Sequence, residues 1–148
     1  MKALVLEGIQ KLSIQDVPEP ELKPGGAIVR VLANGVCRSD WHIWIGDIAR
    51  QYPIVIGHEM AGVVEEVGEG VSRFRKGDRV IVPFTGSDGT CPQCQSGHSH
   101  LCDNPIMPGR TYGGATANTS TFRWPTGTCS HCLRKSAFAT DPRSGAAS

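Results

Sequence analysis

Residues 57–71 read GHEMAGVVEEVGEGV, and this stretch decides the fold class. Its middle, 61–67, is a short run rich in apolar and β-branched residues, which favours a strand. The Gly-rich segment 68–77 is typical of turns, and 78–82 predicts the next strand. Short strands that Gly and Pro interrupt at roughly ten-residue spacing predict a small antiparallel barrel.

The rest of the first 109 residues continues this pattern. Further strands are predicted at 2–6, 12–17 and 27–33, where apolar residues form short runs. A short helix is predicted at 39–45, because Ser39 is a favourable N-cap and apolar residues follow it at helical spacing. We therefore expect a mainly β domain with one short helix.

The composition indicates one globular domain and excludes several function classes. The 148 residues are 39% hydrophobic and 20% charged, which suits a single soluble domain. No apolar run approaches the about 18 residues of a membrane span, and the N-terminal one is too short for an export signal. The net charge of +1 gives no basic surface for nucleic acid or an anionic membrane. We expect a cytoplasmic protein.

Six cysteines require an explanation, and without an export signal metal ligands are more common than disulfides. The first candidate is Cys37, which His58 follows 21 residues later. A thiolate and a neutral imidazole are good zinc ligands, and two or three protein ligands with an open position are typical of a catalytic zinc. Taken alone, Cys37 is more often a small buried hydrophobe, and His58 a structural histidine.

The residues around this pair resemble one known family. The pattern G-H-E-x2-G-x5-G-x2-V over 57–71 resembles the zinc signature of the medium-chain zinc-dependent alcohol dehydrogenases. C-R-S-D-x-H at 37–42 resembles the segment that precedes it, and G-D-R-V at 77–80 is similar to a recurrent turn and strand. The resemblance covers 1–109. It implies the family's GroES-like catalytic domain, with a zinc-binding lobe at 86–103.

The resemblance also implies roles for residues around a catalytic zinc. Cys37 and His58 would bind the metal, and Glu59 would be the nearby carboxylate that can approach it when the fourth position exchanges. Asp40 would accept a hydrogen bond from the other ring nitrogen of His58, which fixes the tautomer of the imidazole.

Proton transfer, cofactor and substrate contacts are implied in the same way. Ser39 and His42 would form a proton relay from the alcohol, through the cofactor ribose, to solvent. Arg38 would contact the pyrophosphate of NAD or NADP, since a fixed cation suits phosphate. Phe84 would line the substrate pocket. Trp44 is our own addition to that wall, although a packed aromatic on the helix face explains it at least as well.

A second cluster, D-x2-C-x2-C-x7-C over 88–102, predicts a structural zinc. The related enzymes often carry four cysteines here. The last three match this chain, and an aspartate stands in the first position, where a carboxylate oxygen is an acceptable ligand. The candidate ligands are Asp88, Cys91, Cys94 and Cys102. His98 or His100 would substitute geometrically, or the loop carries reduced cysteines without a metal.

Residues 110–148 differ in composition from the rest. They carry five basic residues against one acidic residue and contain no Val, Ile or Met. We therefore expect an irregular, mostly disordered tail outside the family fold. Its cluster of Cys129, His131 and Cys132 is a weak metal motif, and unliganded thiols are the more common outcome. No G-x-G-x-x-G turn of a nucleotide-binding domain occurs, which indicates a truncated or frame-shifted product.

The expected function is that of the zinc-binding catalytic domain of an NAD(P)-dependent alcohol dehydrogenase, inactive alone. One catalytic and one structural zinc are expected, with a small alcohol or aldehyde as the partner molecule; nothing supports an oligomer. The alternatives are a non-catalytic zinc-binding module with a structural or binding role, and a zinc-ribbon-like nucleic-acid module, against which the neutral charge argues.

Overall fold

A computed structural model of the chain describes residues 1–111, 113–117, 119–123 and 134–135. Strand is the main secondary structure among these residues, as predicted. The elements, in chain order, are β1 (Lys2–Gly8), β2 (Lys11–Asp16), β3 (Gly26–Gly35), α1 (Arg38–Ile45), β4 (Ile54–Val55), β5 (Glu59–Val67), β6 (Arg79–Val82), α2 (Pro92–Gln95), a 3-10 turn (Ser99–Leu101), β7 (Thr119–Arg123) and β8 (Arg134–Lys135).

The strands form two antiparallel sheets. One has the order β2-β1-β4 and the other the order β7-β3-β5-β6-β8. In the larger sheet, β3 and β5 pair from Ala27 opposite Val67 to Gly35 opposite Glu59. The predicted mainly β fold class is thereby confirmed, and the end of this strand pair carries Glu59 to the candidate site.

Alternating side chains of the larger sheet build the main core. Val29, Met60, Val64 and Val80 are at most 2% exposed. Burial of each such side chain stabilises the fold by about 1.5–3 kcal/mol. Because successive residues of a strand point to opposite faces, the burial of Met60 fixes the direction in which the start of β5 lies.

A second cluster fixes the helix beside that strand. Leu6 of β1, Ile43 of α1 and Ile56 are buried against one another, and Trp44 packs on them. Ile56 lies two residues before His58, so the same packing that anchors α1 anchors the approach to His58.

The helix begins one residue earlier than predicted and has a different N-cap. The predicted cap was Ser39, whereas Cys37 occupies that position in the structure. The carboxylate of Asp40 reaches back and accepts a hydrogen bond from the Cys37 backbone N–H at 3.1 Å. Gly46, with φ of 94°, ends the helix in the left-handed region, which favours glycine.

The chain remains part of the fold beyond residue 109, where the sequence predicted a boundary. Residues 113–117 lie along 55–57 through main-chain hydrogen bonds of 2.9–3.1 Å, and Ala115 is buried. β7 then pairs with β3. These contacts are made by the backbone, which does not require β-branched apolar side chains, so a composition without Val and Ile did not reveal them.

The cysteine cluster at 129–132 lies outside the described residues. Within those residues, no helix combines the length and the hydropathy that a membrane span needs.

Candidate active site and metal centres

Three potential metal ligands meet between the start of α1 and the start of β5. The Sγ of Cys37, a ring nitrogen of His58 and a carboxylate oxygen of Glu59 all lie within 4.8 Å of one another. Cys37 caps α1, and Glu59 opens β5 directly after His58. Two segments that are 21 residues apart in sequence therefore present their ligands to one point.

The ring of His58 is held by one buried carboxylate. Its Nδ1 lies 3.3 Å from Oδ1 of Asp40, and the two side chains are 12% and 8% exposed. Its Nε2 lies 3.3 Å from the hydroxyl of Ser39. Because the other oxygen of Asp40 holds the backbone of Cys37, one carboxylate positions both segments that supply ligands.

The donor set matches zinc. A thiolate, an imidazole and a carboxylate are the ligand types that zinc accepts, and three protein ligands leave a tetrahedral ion one open position. The backbone leaves room for the third ligand, because a Cβ at Gly35 would overlap the Glu59 carboxylate.

A cavity of about 180 Å³ adjoins this cluster. Ser39, Asp40 and His58 line it. Phe84 lines it as well, and its ring stands edge-on to that of His58, with 6.1 Å between the ring centroids. One expected metal ligand, one expected proton-transfer residue and the expected substrate contact thus line one cavity: His58, Ser39 and Phe84.

The structure departs from the sequence expectations at one side of this cavity. Trp44 does not line the cavity. It packs instead on the cluster of Leu6, Ile43 and Ile56, which agrees with the alternative of a packed aromatic on the helix face. Met107, Arg50 and Arg110 line the cavity and were not predicted. They come from two loops far apart in sequence, and no motif marks them.

The two other expected functional residues lie on α1 outside the cavity lining. His42 is half-exposed, and its Nδ1 lies 2.9 Å from Oδ2 of Asp47. The guanidinium of Arg38 stacks over the ring of Trp41 at 4.2 Å. Both groups face outward, where a proton can reach solvent and a nucleotide can approach.

A second set of potential ligands lies within one short stretch of chain. Ligand atoms of Asp88, Cys91, Cys94 and Cys102 all lie within 4.8 Å of one another. Cys91 caps α2, and its Sγ is 3.5 Å from the backbone nitrogen of Cys94. The Sγ of Cys102 lies 3.9 Å from that of Cys91, so the loop closes on itself as the sequence predicted.

Hydrogen bonds keep the carboxylate of this lobe ionised. The side chain of Asn104 and the backbone N–H groups of Thr90 and Cys91 donate to Asp88 at 2.8–3.1 Å. They hold the pKa of Asp88 well below its usual range. Desolvation and the neighbouring thiols raise the pKa of Cys94 to about 12, so a metal must displace a proton there.

Neither histidine of this loop belongs to the described cluster. His98 instead lies 3.1 Å through Nδ1 from the hydroxyl of Ser96, and its ring stands edge-on to that of His100. The structure therefore brings in Asp88 as the fourth donor, and one carboxylate with three thiolates is a donor set that suits zinc.

Comparison with known protein families agrees with this geometry. A family model described as the alcohol dehydrogenase GroES-like domain matches residues 23–136. The chain belongs to this family.

Individual relatives agree. The chain is 42% identical over 115 residues to the D-arabinose 1-dehydrogenase (NADP(+)) of Saccharolobus solfataricus, covering 76% of this chain and 33% of that protein. It is 39% identical over 127 residues to the NAD-dependent alcohol dehydrogenase of Sulfurisphaera tokodaii, covering 79% and 37%. The solved structure of alcohol dehydrogenase TADH from Thermus sp. ATN1 superposes with a TM-score of 0.82 at 35% identity, covering 91% of this chain and 40% of that one. The chain thus spans about a third of the length of these curated relatives.

Proposed function

We propose that this chain supplies the zinc-binding catalytic site of an NAD(P)-dependent alcohol dehydrogenase, which oxidises an alcohol to an aldehyde or ketone by hydride transfer. The observation that carries the proposal is the convergence of Cys37, His58 and Glu59 beside a cavity. Family membership and the names of the relatives support it.

Cys37 and His58 would hold the catalytic zinc, with Glu59 as an exchangeable third donor. When bound, zinc supplies Lewis-acid stabilisation of the negative charge on the substrate oxygen. Asp40, whose Oδ1 lies 3.3 Å from Nδ1 of His58, would orient the ring so that Nε2 presents its lone pair to the metal.

Ser39 would take the proton from the substrate hydroxyl. It lies on the cavity wall with its Oγ 3.3 Å from Nε2 of His58, so it faces the same point as the metal donors. The half-exposed His42, whose Nδ1 lies 2.9 Å from Oδ2 of Asp47, would pass a proton to solvent.

The outward residues of α1 would meet the cofactor. Arg38 presents a permanent cation, which suits the pyrophosphate of NAD or NADP. Phe84 would contact the apolar part of the alcohol, since its exposed ring borders the cavity beside His58.

Cobalt substitution tests the proposal without requiring turnover. We expect two equivalents of metal per chain, and we expect added imidazole to change the visible spectrum of cobalt at the Cys37 cluster but not at the Cys91 lobe. A spectrum that imidazole leaves unchanged at both centres would mean two closed sites, and would favour the alternative of a non-catalytic zinc-binding module. An NAD(P)-linked oxidation assay on short alcohols then measures the activity itself.

A further inference from the structure

Two arginines, Arg50 and Arg110, line the same cavity as His58 and Ser39. Arg50 follows α1, and Arg110 follows the loop that contains Met107. Neither has a role in the chemistry described above, and neither belongs to the motifs that the sequence identified.

The guanidinium of Arg50 is incompletely satisfied. Its Nε is buried and has no hydrogen-bond partner among the residues that the structure describes, while its Nη1 donates to the carbonyl of the adjacent Ala49 at 2.9 Å. A buried donor without an acceptor is costly, and structures retain such groups where a ligand satisfies them.

The two arginines carry like charges that repel each other. Burial and then the positive charge of Arg110 lower the pKa of Arg50, with Tyr52 acting in the opposite direction. Within the described residues, neither arginine forms an ion pair, and the guanidinium of Arg110 donates to the sulfur of Met107 at 3.4 Å. The acidic side chain that lines the same cavity, Asp40, already faces His58.

We propose that the cavity takes an alcohol that carries a second, negatively charged oxyanion group, a carboxylate or a phosphate, bound by Arg50 and Arg110. The inference rests on the proposed dehydrogenase function, and it names the substrate class. A guanidinium binds planar oxyanions through paired N–H groups, and this pairing would satisfy the buried Nε.

The cavity also links the two ends of such a substrate. Ser39 and His58 line the same cavity of about 180 Å³ as the arginines, so one small molecule held there has access to both groups. A neutral alcohol would leave two like charges without a counter-ion, which makes the arginines a determinant of specificity.

The test compares glycolate with ethylene glycol, which replaces the carboxylate by a neutral hydroxymethyl group, and adds inorganic phosphate as a third probe. Affinities for the full chain are measured by ligand-observed NMR. We expect glycolate or phosphate to bind at least about tenfold more tightly than ethylene glycol. We expect Arg50→Met and Arg110→Met each to remove most of that difference. Arg73→Met, at an exposed arginine outside the cavity lining, is the matched control and should retain it.

Each outcome decides the proposal. Tighter binding of glycolate identifies a carboxylate substrate, and tighter binding of phosphate identifies a phosphorylated one. Equal affinity for glycolate and ethylene glycol overturns the proposal, as does an equal loss in Arg73→Met. Anion binding that survives both cavity variants and disappears in His58→Ala would assign the anion to the metal, which also overturns it. Because Arg110 is exposed, its variant remains informative if Arg50→Met does not fold. Failure of the dehydrogenase proposal appears separately, in the cobalt spectra.

Discussion

The two candidate metal centres differ in how the chain builds them. The Cys37 cluster draws its donors from a helix N-cap and a strand end that are 21 residues apart, and it borders a cavity. The Cys91 lobe draws all four donors from residues 88–102, and none of them lines that cavity. One centre has three donors and access for a ligand, and the other has four donors and closes on itself.

This difference suggests a catalytic role for the Cys37 cluster and a stabilising role for the Cys91 lobe. The positions of Cys37 and His58 depend on the packing of Leu6, Ile43 and Ile56, so we expect this part of the fold to form without the metal. The lobe has only a short helix and a 3-10 turn, and its hydrogen bonds converge on the ligands themselves. We propose that a metal bound there would contribute directly to folding, as in small zinc-stabilised modules.

The largest effect is expected for His58→Ala in the Cys37 cluster. Loss of one of three donors should lower the zinc affinity of that centre by about a thousandfold or more and leave one equivalent in the lobe. Metal titration followed by mass spectrometry measures this. His100→Ala, at an exposed histidine outside both clusters, should retain two equivalents. Simultaneous loss of both metals would show that the centres are not independent.

Cys94→Ser should act on stability instead. Loss of one of three thiolates should release the metal of the lobe and lower the melting temperature by roughly 10 °C. Ser96→Ala, in the same turn but outside the donor set, is the control. An unchanged melting temperature and metal content would argue against a structural zinc in the lobe.

Asp40→Asn tests the carboxylate that positions the first centre. Loss of the charge facing Nδ1 of His58 should weaken zinc binding by about 10–100-fold while the lobe stays loaded. Asp47→Asn, which alters a comparable contact with His42, should leave both affinities unchanged. Equal affinities in Asp40→Asn and the parent chain would remove the positioning role.

Asp88→Asn should have the smallest effect, since three thiolates remain. We expect about a tenfold loss of zinc affinity at neutral pH, and no loss in Asp103→Asn, an exposed neighbour. Because hydrogen bonds lower the pKa of Asp88, its contribution is present above the ordinary carboxyl pKa and is lost only as the pH falls through the lowered value. The ratio of the zinc affinities of the parent chain and Asp88→Asn isolates this contribution at each pH, because both proteins contain the same thiols. A ratio that falls to one already near the ordinary carboxyl pKa would contradict the lowered pKa of Asp88.

The sequence revealed most of the strands because their signal is local. Periodicity and Gly-rich turns located five of the strands and the helix. Both donor sets were predicted from cysteine and histidine spacing together with the family resemblance. The two-residue strand Ile54–Val55 was missed because a run so short carries no period. β7 was missed because its composition is polar, whereas its pairing with β3 depends on the backbone.

Cavity walls were harder to predict than metal ligands. Phe84 was found through the family resemblance, but Trp44 faces the core, since the packing around Leu6 decides the direction of that helix face. Arg50 and Arg110 become neighbours only when two distant loops meet. No spacing rule connects such residues, so only the folded chain shows them.

The segment 113–117 gives the first centre an unexpected dependence. It supplies no donor, yet Thr116 donates through its backbone and its hydroxyl to the carbonyl of Ile56, and Ala115 donates to that of Gly57, immediately before His58. The backbone that positions the imidazole of His58 is therefore hydrogen-bonded to a segment about 60 residues downstream. Proteolytic cleavage near residue 110 would leave every candidate ligand intact, and it should still lower the metal affinity of the Cys37 cluster.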